Sequence, residues 1–152
     1  MSQNRTRLAA SRKGQDGASA VEFALVLMPL LVLVFGILQY GWYFYSSQLG
    51  ASTAREAVRR VAVGDCPGDP ELMTFVTSRL GSAATSAPTV TRAYTDANSV
   101  AIAGPTVGGK VTVTITFQSL DLNFPFIPVP DGAQIVRAVD ARVEDTNSSG
   151  CA

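Results

Sequence analysis

Residues 23–54 read FALVLMPLLVLVFGILQYGWYFYSSQLGASTA, thirty-two positions without a charged side chain. Phe23 to Leu38 is almost wholly apolar, and apolar or aromatic residues continue through Tyr45. About 20 mostly apolar residues cross the roughly 30 Å of hydrocarbon in a bilayer, so the stretch is long enough to span one. Pro29 and Gly36 would weaken a helix in water but are tolerated in a bilayer, where the backbone has no better partner than itself. Tyr40, Trp42, Tyr43 and Tyr45 gather at one end. Amphipathic rings settle at membrane–water boundaries, and a buried core helix has no reason to collect four of them. The pattern predicts a transmembrane helix over residues 18–45.

On the N-terminal side stand Arg5, Arg7, Arg12 and Lys13, opposed by Asp16 alone. The positive-inside rule places this basic leader, residues 1–17, in the cytoplasm and the C-terminal domain outside. Arg55, Arg59 and Arg60 pull the other way and make the bias modest. Ser52-Thr53-Ala54 has the small-x-small form of a signal cleavage site. The apolar part nevertheless exceeds the 7–15 residues typical of a removable signal, and aromatic residues intervene, so a retained anchor is expected.

Toward the C-terminus, residues 46–64 continue as a helical extension. Leu49, Thr53, Ala57 and Arg60 lie near one face, Ala54, Val58 and Val61 near another, and Gly64-Asp65-Cys66-Pro67-Gly68 stops the helix. Span and extension together predict one helix of about 45 residues, near 68 Å at 1.5 Å per residue. Asp69 is the expected cap of a second, short helix with Pro70 in its first turn, followed by Leu72, Phe75, Val76 and Leu80 at core spacing and ended by Gly81.

Val90–Tyr94 and Ser99–Ala103 are short strand candidates. The clearest strand is Lys110–Gln118, where Val111, Val113, Ile115 and Phe117 alternate with Thr112, Thr114 and Thr116. The glycines of residues 104–109 lack the Lys-Ser/Thr ending and the following helix of a phosphate loop, so a hairpin turn is expected. Leu120–Pro130, with three prolines and two phenylalanines, reads as a loop or edge segment, and Ile135–Glu144 as a final strand. The fold class is therefore α+β: a long N-terminal transmembrane helix extending into a small exported domain (residues 65–144). That domain carries a short helix and a three- to four-stranded antiparallel sheet, and a polar tail follows over 145–152.

Composition narrows the function. The 152 residues carry 12 basic and 12 acidic side chains, a formal net charge of zero, with no basic run in the C-terminal two-thirds. Nucleic acid is not an expected partner, because phosphate binding needs a basic surface. There is no histidine, which removes the usual metal ligand and general base. Asp96, Asp121, Asp131 and Asp140 are scattered, and no nucleophile motif accompanies the many serines and threonines. We expect no enzymatic activity, no cofactor and no metal site. Two cysteines, Cys66 and Cys151, are candidates for one disulfide in an exported domain, against the alternative of two free thiols.

One residue does not suit a plain anchor. Glu22 sits at the edge of the apolar run, where an unpaired acid entering the hydrocarbon costs about 2–3 kcal/mol. In isolation, a headgroup-level position favoured by the helix N-terminal dipole would explain it. Its surroundings, Arg12-Lys13-Gly14-Gln15-Asp16-Gly17-Ala18-Ser19-Ala20-Val21-Glu22-Phe23 before the apolar block, resemble the processing junction of type IV prepilins. More narrowly, the chain resembles the TadE-like family of the tight-adherence (Tad/Flp) pilus system. The resemblance is carried by Gly17, Ala20-Val21-Glu22-Phe23-Ala24-Leu25, Pro29, Gly36 and Ala54-Arg55-Glu56-Ala57-Val58-Arg59. It covers residues 14–64 well and the rest in outline.

The resemblance implies a minor pilin or pseudopilin, cut by a prepilin peptidase between Gly17 and Ala18, with Glu22 as fifth residue of the mature chain setting subunit register. It implies the peptidase, other pilins or pseudopilins, the Tad assembly machinery and the lipid bilayer as partners. Two other readings are an uncleaved single-pass anchor for an extracytoplasmic binding module, and a pseudopilin of a secretion or DNA-uptake machine.

Overall fold

The structure is a computed structural model that describes residues 13–65 and 68–146. Helix α1 runs unbroken over Lys13–Ala62, 50 residues, or about 75 Å at 1.5 Å per residue. It continues straight through the expected leader boundary at residues 17 and 18. Gly64, at φ +81°, turns the chain away from it. Helix α2 spans Asp69–Leu80. The cap is Gly68 rather than Asp69: Asp69 is already the first helical residue, and the Gly68 N–H donates to Glu71 Oε2 at 2.9 Å. Asp69 instead forms an ion pair with Arg92. Gly81, at φ +48°, ends α2 where expected.

Four strands follow, β1 (Thr89–Thr95), β2 (Ala101–Ile102), β3 (Lys110–Gln118) and β4 (Gln134–Arg142), forming one antiparallel sheet in the order β2-β1-β3-β4. The second expected strand shrinks to two residues. Asp96 accepts the N–H groups of Asn98 and Val100 through Oδ1, both at 2.8 Å, and this turn occupies the positions that pairing would have used. β3 falls where its alternation placed it. Val111, Val113, Ile115 and Phe117 are buried on the face that α1 and α2 cover, and the threonines look outward. β4 presents Ile135, Val139 and Ala141 to the same side.

The upper part of α1 is itself the main wall of this core. Its buried face runs through Gly50, Thr53, Ala54, Ala57, Val58, Val61 and Ala62, one stripe at helical spacing that joins the two faces read from the sequence. Small residues let the helix approach the sheet closely. A Cβ built on Gly50 would lie 2.7 Å from Cε1 of Phe117, whose ring is itself buried. Arg60 stays half-exposed, its guanidinium 4.2 Å from the centre of the Phe75 ring and 3.3 Å from Glu56. At the top, the Glu144 N–H donates to the Ala62 carbonyl at 2.8 Å, so the chain leaving β4 satisfies the end of α1.

The connection between β3 and β4 is no tight hairpin. Residues 120–130, read as a loop or edge segment, form no strand and descend along α1. Three contacts fix them there. The Phe35 and Phe124 rings stack with centroids 4.5 Å apart. Gln39, 2 % exposed, donates from Nε2 to the Leu120 carbonyl at 2.9 Å and accepts the Leu122 N–H at 3.0 Å. The Tyr40 hydroxyl donates to the Pro128 carbonyl at 2.6 Å. Of the four rings expected at the membrane boundary, Tyr40 thus engages the loop and Tyr43 packs against the core.

Two consequences can be measured on the protein in detergent micelles. Gly50→Val should lower unfolding stability by about 1–3 kcal/mol, because Phe117 has nowhere to move. Gly41→Ala, with nothing within 4 Å of the added Cβ, should leave it unchanged or raise it by up to about 1 kcal/mol. Gln39→Ala should leave two loop backbone groups without their partner, at a local cost of about 1–3 kcal/mol. Hydrogen exchange at the Leu122 amide should then accelerate about tenfold or more, while β3 amides keep their protection.

Candidate functional site: the lower half of helix α1

Below Phe35 the helix has almost no protein around it. The most apolar 18-residue window of α1 is entirely unburied, with Val21, Leu25 and Met28 exposed to 62 %, 71 % and 72 %. Fully burying one such side chain stabilises by about 1.5–3 kcal/mol, and ten large apolar side chains from Val21 to Val34 are left exposed. Length, composition and exposure make this half of α1 compatible with a membrane anchor. Around Pro29 the surface is slightly hollowed, with Ala24, Leu25, Met28, Val32 and Leu33 lining a shallow apolar groove. Proline lacks the N–H that would bond the Leu25 carbonyl, and its ring crowds that turn.

Gly17, Ala18 and Glu22 all lie on α1 and are exposed. Ala18 and Glu22 are four residues apart, one turn along the same face, with Cβ atoms about 5–6 Å apart. Ala18 and Glu22 thus share one exposed face of α1, with Gly17 next to Ala18 in the chain. The local sequence has little intrinsic helical strength: Gly14 and Gly17 each cost about 1 kcal/mol relative to alanine in a helix interior. The leader residues Arg5, Arg7 and Arg12, and both cysteines of the expected disulfide, lie outside the described residues.

Elsewhere the surface offers little chemistry. Among the described residues, no group of three or more Cys, Asp or Glu is placed to hold a metal ion. Asp121 and Asp96 serve their own loops, Asp121 accepting the Asn123 N–H at 2.8 Å, and Asp140 lies 3.9 Å from Lys110 across the β3–β4 pair. Sequence reasoning missed Gln39. Its signal was available: one amide in an otherwise apolar turn, which in a purely lipid-facing helix would be left without a partner.

The family of TadE-like proteins matches this chain over residues 17–59, from the junction glycine to the second arginine of the upper helix. No curated protein and no solved structure matches it. The match lies within α1 and stops short of α2 and the sheet, so it speaks for the exposed apolar half and for most of the face that closes the core. Over residues 17–59 the chain is thus similar to TadE-like proteins.

Proposed function

We propose that this protein is a minor pilin or pseudopilin of a Tad system, held in the membrane by the lower half of α1 and processed between Gly17 and Ala18 by a prepilin peptidase. The observation that carries the reading is the family match beginning at Gly17 on a helix whose lower half is bare and whose upper half is the core of a small head. In this reading the leader is cytoplasmic and the head extracytoplasmic. The chain takes part in building a Flp-type pilus and performs no catalysis.

The chemistry at the junction follows from charge. Removing residues 1–17 takes away four basic side chains and one acidic one, leaving eight basic and eleven acidic, a net charge of −3. It also creates an α-ammonium group at Ala18, at the membrane edge. When neighbouring helices pack side by side, the Glu22 carboxylate of one subunit pairs with the Ala18 ammonium of the next. An unpaired charge is costly there, so only the register that pairs them is favourable. With the leader retained, the basic segment holds the chain to the anionic leaflet, worth about 1 kcal/mol per Lys or Arg near the surface.

The mature N-terminus decides this. Mass spectrometry on protein from the native membrane should find a chain beginning at Ala18, and Gly17→Val should abolish that product. Glu22→Ala should still be cut but should lose incorporation into, or support of, the pilus. A chain retaining residues 1–17 in piliated cells would instead favour the uncleaved anchored binding module, and normal piliation of Glu22→Ala would remove the register role.

A further inference from the structure

We infer that the loop of residues 120–130 is a second membrane-contacting element, a wedge that places Phe126 among the lipids of the leaflet on the head's side. The inference rests on the membrane-anchored reading of α1 and adds to it a surface of the head itself.

The first ground is position. The loop is pegged to α1 by Phe124 on Phe35, by Gln39 and by Tyr40. Phe35 stands only thirteen residues above Glu22, about 20 Å along the helix axis. A hydrocarbon layer of about 30 Å that starts at Glu22 therefore extends past Phe35 to the level of Tyr40 or beyond. Sliding the layer down to clear the loop would draw Glu22 into hydrocarbon, at about 2.5–3.5 kcal/mol for a central position. The anchor and the loop thus share one depth.

The second ground is composition and exposure. From Leu122 to Pro130 there is no charged residue, and Phe126 is 90 % exposed, with Leu122 at 46 %. Phe126 is held outward by a backbone at φ +70°, which a bulky residue rarely adopts.

The third ground is polar satisfaction, the requirement that normally keeps loops out of lipid. Pro125, Pro128 and Pro130 have no N–H to satisfy. The Leu122 N–H is bonded to Gln39, that of Asn123 to Asp121, and that of Ile127 to the Phe124 carbonyl at 3.2 Å. Gln39 and Tyr40 take up the carbonyls of Leu120 and Pro128. With these groups satisfied within the protein, the loop presents Phe126 outward at the headgroup and upper acyl level.

The test uses the full chain in phosphatidylcholine/phosphatidylglycerol vesicles and tryptophan fluorescence. The native Trp42 reports on the anchor; Phe126→Trp and Val136→Trp, each in a Trp42→Phe background, report on the loop and on the outer face of β4. Phe126 makes way for tryptophan without loss of packing because it is exposed. The expected result is that lipids carrying a nitroxide high on the acyl chain quench the Phe126→Trp variant, and that acrylamide quenches it several-fold less than the Val136→Trp variant. Equal acrylamide quenching of the two variants, with Trp42 still quenched by lipid, would overturn the wedge and leave the anchor standing. Protection of the loop variant from acrylamide without lipid quenching would overturn it in favour of a second protein copy over the loop. Absence of lipid quenching at Trp42 as well would remove the anchored reading and the wedge with it.

Discussion

The head of this protein exists because α1 closes it. Val111, Val113, Ile115 and Phe117 of β3 form an apolar face that one short helix, α2, does not cover alone, and the stripe from Gly50 to Ala62 supplies the missing wall. Burial of these side chains, at about 1.5–3 kcal/mol each, is the largest favourable contribution in so small a domain. Gly50 shows how close the approach is: its missing side chain is the space that Phe117 fills. Stalk and head are therefore one folding unit, and a head released at residue 64 would lose a wall of its core.

That dependence makes the helix serve two environments along one axis. Up to Leu33 its apolar side chains point in every direction, which suits a medium apolar on all sides. From Ser46 upward the buried positions fall on a single stripe, while Arg55 and Arg59 face water. Residues 35–45 belong to both regimes. Phe35, Gln39, Tyr40 and Tyr43 turn toward the head while Ile37, Leu38, Phe44 and Tyr45 remain exposed. The head begins about ten residues lower on the helix than a reading by hydropathy alone places it.

Much of this was legible in the residues. The uncharged run, the glycine stop at 64 and the alternation of Lys110–Gln118 follow from periods and turn chemistry that hardly depend on context. The TadE-like resemblance was readable from Gly17, Glu22 and the Ala/Arg segment. What was not legible depends on contacts distant in sequence. Asp69 looks like a cap until Arg92, twenty-three positions away, claims it and leaves Gly68 at the helix start. The shrinking of β2 comes from Asp96 winning a local competition for backbone N–H groups. The path of residues 120–130 needed the pairing of Gln39 with positions more than eighty residues on.

Gln39 also explains why the loop descends rather than turning tightly between β3 and β4. A buried amide in an apolar turn needs both a donor and an acceptor. A descending backbone offers both at once, the Leu120 carbonyl and the Leu122 N–H. The bond then fixes the loop's height against the helix, and Phe124 on Phe35 fixes its lateral position. Each pairing is unavailable to a head rotated or shifted along the stalk, because the unsatisfied amide would cost more than the bond contributes. Orientation of the head relative to the helix is thereby set at both ends: by apolar packing above Gly50 and by Gln39, Tyr40 and Phe35 below it.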